Sequence, residues 1–222
     1  MNLRRFQSHT CFVPILASTA LVACGADRST GGDRPCDPGF VTEVVSVQYG
    51  AQAGFGQASM PQVVFGPPHG AGSKEGSLDV VSLGLDGSIV LGFDHGIADG
   101  PGADLIVFEN VFFAGGDPDH PFVEPATVSV SDDLSSWTAW PCAPEIAPYD
   151  GCAGTHPVFS NPDNEISPFD VQAAGGDAFD LASIGISRAR YLRIQSSSRV
   201  PGTSGTSGFD LDAVAVLHPD CR

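Results

Sequence analysis

The 222-residue chain carries 26 acidic against 10 basic side chains, for a formal charge of −16 and an isoelectric point near 4.4. That balance excludes charge-driven adhesion to nucleic acid or to anionic lipid headgroups, and it suits cations. With 27 glycines, 18 prolines and 42% hydrophobic residues, the chain can bury one sizeable core broken by many turns, as a single all-β domain of this length does.

Residues 1–23 read as a processing signal. Arg4 and Arg5 form a basic start, and Phe12 to Val22 is an apolar run too short to span a bilayer, with Pro14 weakening it further. The run ends in Leu21-Val22-Ala23-Cys24, which resembles the lipobox of bacterial lipoproteins. The resemblance implies that residues 1–23 are removed and that Cys24 is diacylated. Because Gly25 rather than an aspartate follows, it also implies transport to the outer membrane or cell surface. More than one acyl chain gives anchoring that a single chain cannot. An ordinary secretory signal cut near Ala23 is the alternative. Losing Arg4 and Arg5 takes the formal charge from −16 to −18. Residues 24–38 then form a lipidated polar tether, and 39–222 a single folded domain.

Cys11 leaves with the signal and Cys24 carries lipid, so Cys36, Cys142, Cys152 and Cys221 remain. An even number in an exported chain reads as two disulfides, with three connectivities open. Cys142 and Cys152 bracket a short loop containing Pro and Gly, so they are expected to pair. Cys36 is then left to staple the start of the domain to Cys221 at its end. No C-x-x-C pair supports a zinc site.

In chain order, Phe40 to Tyr49 is Val-rich and reads as the first strand. Gly50 to Gly76 reads as loop, with Val63-Val64-Phe65 a strand fragment. Val80 to Leu83 and Ser88 to Phe93 read as strands joined by Asp86-Gly87, a hairpin-turn dipeptide. Leu105 to Phe108 is wholly apolar and is expected to lie centrally, covered on both faces. Ala126 to Ser131 alternates, with Ala126, Val128 and Val130 inward, and Thr138 to Trp140 is a short strand. Ser160 to Gly176 resists regular structure. Tyr191 to Gln195 alternates with Leu192 and Ile194 inward. After a Gly/Ser/Thr segment, 202–208, comes a last strand, Leu211 to Leu217. The only helical expectation is one turn at Ala182 to Ile186. Many short strands between turns predict an antiparallel β-sandwich.

Val128-Ser129-Val130-Ser131-Asp132-Asp133 followed by Trp137 resembles the strand–turn–Trp pattern of discoidin-like domains. Ala189-Arg190-Tyr191-Leu192-Arg193-Ile194 resembles their late strand. Such domains are galactose-binding-like jelly rolls, two antiparallel sheets with binding loops at one end. The run from Leu83 to Leu217 is also similar to a family of uncharacterised bacterial cell-surface lipoproteins. That similarity rests on Asp86-Gly87-Ser88-Ile89-Val90-Leu91, Asp99 to Asn110, Gly175 to Leu181 and Gly208 to Ala213. Neither resemblance implies a catalytic activity.

The chemistry-bearing candidates are carboxylates. Phe-Asp occurs at 93–94, 169–170, 179–180 and 209–210. Glu109 and Asn110 end the apolar central strand, Asp177 and Asp180 follow a Gly-Gly turn, and Asp210 and Asp212 lie two apart at the start of a strand. Calcium takes six to eight such oxygens, drawn from several loops. The jelly-roll resemblance likewise implies a structural calcium. Glu109, Asn110, Asp177, Asp180, Asp210 and Asp212 are therefore the candidate metal ligands. The competing reading is that these acids cap turns and face water.

Trp137, Trp140, Tyr149, Phe112 and Phe113 are candidates for a sugar-stacking platform, although packing competes for each. Enzyme signatures are missing: no G-x-S-x-G, no H-E-x-x-H, no phosphate-cradling glycine turn. His156 is the most suggestive histidine, but the sequence offers no nucleophile for it. The expectation is a non-enzymatic module with a glycan or a surface protein as partner. The rival is a surface-tethered glycan hydrolase using loop carboxylates.

Overall fold

The computed structural model describes residues 36–197 and 208–222. The leader, Cys24, nearly all of the tether and most of the 202–208 segment lie outside the described residues. The strands are β1 (Gly39–Phe40), β2 (Glu43–Gln48), β3 (Val81–Ser82), β4 (Ser88–Ala98), β5 (Leu105–Phe108), β6 (Phe112–Phe113), β7 (Pro121–Phe122), β8 (Ala126–Ser131), β9 (Thr138–Ala139), β10 (Asp177–Phe179), β11 (Arg188–Ser196), β12 (Asp210–Leu211) and β13 (Ala213–Val216). All pair antiparallel. Two larger sheets run β1-β13-β5-β10 and β2-β4-β11-β8-β9, with small pairs β12-β3 and β6-β7. No helix among the described residues is long and apolar enough to cross a membrane.

The period of two builds the five-stranded sheet. Ile194 lies between Ile89 and Val128, and Leu192 between Leu91 and Val130. All six are essentially buried, so successive rows across three strands face the same way, and such cross-strand rows hold a sheet together. Opposite them, Leu105, Val107, Phe179, Val214 and Val216 of the four-stranded sheet enter the same apolar cluster. That shared layer makes the fold an all-β sandwich.

Leu105–Phe108 is buried at every position, as its unbroken apolar run predicts. Leu105 and Val107 point to the inter-sheet core, while Ile106 and Phe108 point to a second cluster with Val158, Ala174, Ala213 and Ala215. The irregular 158–174 segment thus covers the outer face of β5. Gly176 lets this cover come close: its φ is +73°, and a Cβ there would sit 2.7 Å from the Phe108 ring and 2.8 Å from the Val107 carbonyl oxygen.

Several local expectations change. Val63-Val64-Phe65 is not a strand; Gln62–Val64 is a 3-10 turn. Asp86-Gly87 does form a turn, with the Gly87 N–H donating to Gly84 O and Asp86 at φ 62°. It does not join a hairpin, because β3 pairs with β12 while β4 pairs with β2 and β11. A turn dipeptide sets local reversal, but burial decides the partner. The expected last strand breaks at Asp212 into β12 and β13, which enter different sheets. The helical turn falls at Leu181–Ile184, capped by Asp180. Disulfides join Cys36 to Cys221 and Cys142 to Cys152.

Candidate functional site

The strand β5 carries an acidic cluster at each end, and the two differ in how their oxygens are satisfied. At its start, Asp99, Asp104 and Asp180 bring carboxylate oxygens within 4.8 Å of one another. Asp104 is fully buried, but it is supplied with donors: Gly100 N at 2.8 Å, Leu181 N at 2.7 Å and His218 Nδ1 at 2.8 Å. Asp180 accepts from Ala182 N. This cluster ties the turn before β5 to the turn after β10 and needs nothing further.

At the far end, Glu109, Glu124 and Asp210 likewise converge within 4.8 Å. Glu109 and Glu124 are each 2% exposed. Glu109 is held by β5, Glu124 by the approach to β8, and Asp210 by the start of β12. Glu109 Oε1 accepts from Asp210 N at 3.2 Å and Glu124 Oε1 from Gly208 N at 3.1 Å. The side chains of Ser82 and Asn110 hydrogen-bond Asp210. Even so, Glu109 Oε2, Asn110 Oδ1 and Asp210 Oδ1 are buried with no hydrogen-bond partner among the described residues. None of the described salt bridges reaches this cluster. Burial, then the charges of Glu124 and Asp210, push the Glu109 carboxyl well above the usual range. Burial and then Asp210 push Glu124 up to about 8, and burial raises Asp210 too.

The six expected ligands are therefore not gathered into one site. Glu109, Asn110 and Asp210 meet; Asp177, Asp180 and Asp212 do not join them. Asp212 accepts the His69 N–H with both oxygens, at 3.0 and 2.9 Å, and burial pushes it up to about 8. Asp180 caps a turn, as does Asp170, which accepts from Gln172 N and Ala173 N. The member missing from the sequence reading is Glu124. Its only local signal is an acid set between Val123 and Pro125 directly ahead of an apolar strand.

Asp177 instead orders a groove of about 730 Å³. Its carboxylate accepts Gly154 N at 2.7 Å, Thr155 N at 3.0 Å, the Thr155 hydroxyl, and His156 Nδ1 at 2.7 Å. The hydrogen bond to Asp177 holds the His156 imidazole above its ordinary pKa, against some opposing burial. Nδ1 is thus engaged, while the side chain as a whole stays largely exposed. The floor is Trp140, which packs edge-on to Phe179 with ring centres 5.0 Å apart and donates Nε1–H to Asp180 O and Ser183 Oγ. The Cys142–Cys152 loop forms one wall, presenting Tyr149 and Asp150. Tyr149 sits at φ 66°, a conformation a bulky side chain rarely adopts.

Of the expected aromatic platform, only Trp140 and Tyr149 line this groove. Trp137 lies under the Arg193 guanidinium at 4.4 Å, and Phe112 stacks on Phe122 at 4.8 Å. Each of those two rings packs on a neighbour. Comparison with models of known families found no match for the chain, and comparison with curated proteins found none either.

Proposed function

We propose that this chain is an exported, lipid-anchored β-sandwich module of the galactose-binding-like kind, which binds a glycan at the bacterial outer membrane or cell surface without turning it over. The observation that carries the binding reading is the Trp140–His156 groove. Its lining combines His156, Asp150, Asp180 and Tyr149. Donors, acceptors and an aromatic face at one concave site suit a neutral ligand rich in hydroxyls. Among the described residues no lysine or arginine lines the groove, so an anionic ligand would find little countercharge. The Cys24 lipid, for its part, rests on the lipobox resemblance alone.

The test is a glycan array followed by calorimetry on mature protein lacking the lipid. His156→Ala and Tyr149→Ala should each weaken binding about tenfold, the size of one lost hydrogen bond or ring contact. Trp137→Ala should leave it intact. Absence of any glycan signal, or equal binding by all variants, overturns the reading. A second reading, the surface-tethered hydrolase, is favoured by one feature: the His156–Asp177 pair has the build of a general base with its orienting acid. Product release from polysaccharide that vanishes in His156→Ala would establish it in place of the module. Incorporation of labelled palmitate, lost in Cys24→Ser, tests the anchor separately.

A further inference from the structure

The cluster at the far end of β5 calls for a different ligand. Three carboxylates drawn from three separate stretches of chain point at one another, with no cationic side chain in the described salt bridges to offset them. Glu109 is 2% exposed, and its Oε2 accepts no hydrogen bond from the described residues; Asp210 Oδ1 and Asn110 Oδ1 share that condition. Burying an ionised oxygen without a partner is costly, and native structures rarely tolerate it unless an ion or proton sits there. The Asp99–Asp104–Asp180 cluster shows what a self-sufficient arrangement looks like in the same fold, since backbone N–H groups and His218 satisfy both Asp104 oxygens.

Two occupants could complete the cluster, a shared proton or a metal ion. Geometry and chemistry favour the ion. Two oxygens bound to one calcium at about 2.4 Å can be no more than about 4.8 Å apart, and the three carboxylates meet that limit. Every donor is a hard oxygen, which suits calcium and disfavours zinc or copper. Beside them, the Asn110 side chain hydrogen-bonds Asp210, and its Oδ1 is likewise buried with no hydrogen-bond partner among the described residues. Three acids and one amide offer four of the six to eight oxygens calcium takes, and the geometry need not be octahedral as magnesium demands.

We infer that Glu109, Glu124, Asp210 and Asn110 bind one calcium ion, which pins the Gly208–Leu211 segment to the far end of β5 and the approach to β8. The ion acts on structure, and this assignment stands apart from the glycan groove.

The experiment uses the mature protein purified with its disulfides intact. Elemental analysis should find calcium, and EDTA should lower the melting temperature. Calcium should restore it at a concentration at which magnesium does not. In calorimetry, Glu124→Gln and Asp210→Asn should each weaken calcium binding at least tenfold, while Asp150→Asn, in the groove, should not. Because each variant keeps the shape of the side chain and an accepting oxygen while removing a buried acid, its melting temperature in EDTA should be no lower than that of the wild type in EDTA. If one variant fails to fold, the other gives the same readout. Wild-type protein that holds no calcium and melts alike with and without EDTA overturns the assignment. So does a calcium response that survives in both variants, which would place the ion elsewhere.

Discussion

Asp104 shows how the chain makes a buried charge tolerable. It is fully buried, sits one residue before an apolar strand, and gathers two backbone N–H groups and one imidazole. Hydrogen bonds to a charged acceptor are each worth about 1.5–3 kcal/mol, and losing the acceptor strands its buried donors. Asp104→Ala should therefore cost about 3–5 kcal/mol in a urea titration. A loss under about 1 kcal/mol would show that the cluster is ornamental. His156 predicts a pH effect of defined sign. Its folded pKa lies above its ordinary value because Asp177 stabilises the imidazolium. The contribution is thus complete below the unfolded pKa of about 6.5 and is lost as pH rises through the folded value. The stability gap between wild type and His156→Ala should be widest near pH 5 to 6 and close as the solution becomes alkaline. Since the side chain is 70% exposed, water screening keeps the gap small, under about 1 kcal/mol. A gap that widens with rising pH would contradict the pairing.

Among the elements, β5 organises the sandwich, and its pattern was the most legible in the chain. Four apolar residues in a row can only be a strand buried on both faces or part of a buried helix, and the glycines and acids at its ends favour the strand. The alternations of β8 and β11 were equally plain, since Val128, Val130, Leu192 and Ile194 all turn to the core. β10 was invisible because Asp177-Ala178-Phe179 has no local signature; it is a strand only because β5 is beside it. The same proximity explains Gly176. Gly176→Ala must overcome both a positive φ and a collision with Phe108 and Val107, so it should cost roughly 2–3 kcal/mol. Gly102 also has positive φ, but a Cβ there meets nothing within 4 Å, so Gly102→Ala should cost only about 1 kcal/mol. Paired thermal melts of the two variants separate strain from packing; equal losses would remove the packing argument.

Over the whole molecule, Asp33–Arg222 forms one compact unit, and the Cys36–Cys221 disulfide closes a span of 185 residues across it. Constraint of the unfolded chain predicts about 5 kcal/mol from that bond, and about 3 kcal/mol from Cys142–Cys152, whose separation is 10. The double variant Cys36→Ser/Cys221→Ser should therefore lose more stability than Cys142→Ser/Cys152→Ser. The latter should disturb the groove more, because its loop forms a wall. The reverse order in urea titrations would mean that native-state effects at the two bonds outweigh chain entropy.

The sequence by itself determined the all-β class, the inward residues of the central strands and the expectation of two disulfides, because each follows from spacing along the chain. It also marked Glu109, Asn110 and Asp210 as unusual, since acids that end or begin apolar runs stand out. It could not say which acids would meet. Glu124 lies 15 residues after Glu109 and 86 before Asp210, and only the docking of β12 beside the end of β5 brings the three together. Asp177, Asp180 and Asp212 each accept from donors elsewhere in the fold. A carboxylate's task depends on which donors surround it after burial, and that is a property of the tertiary structure.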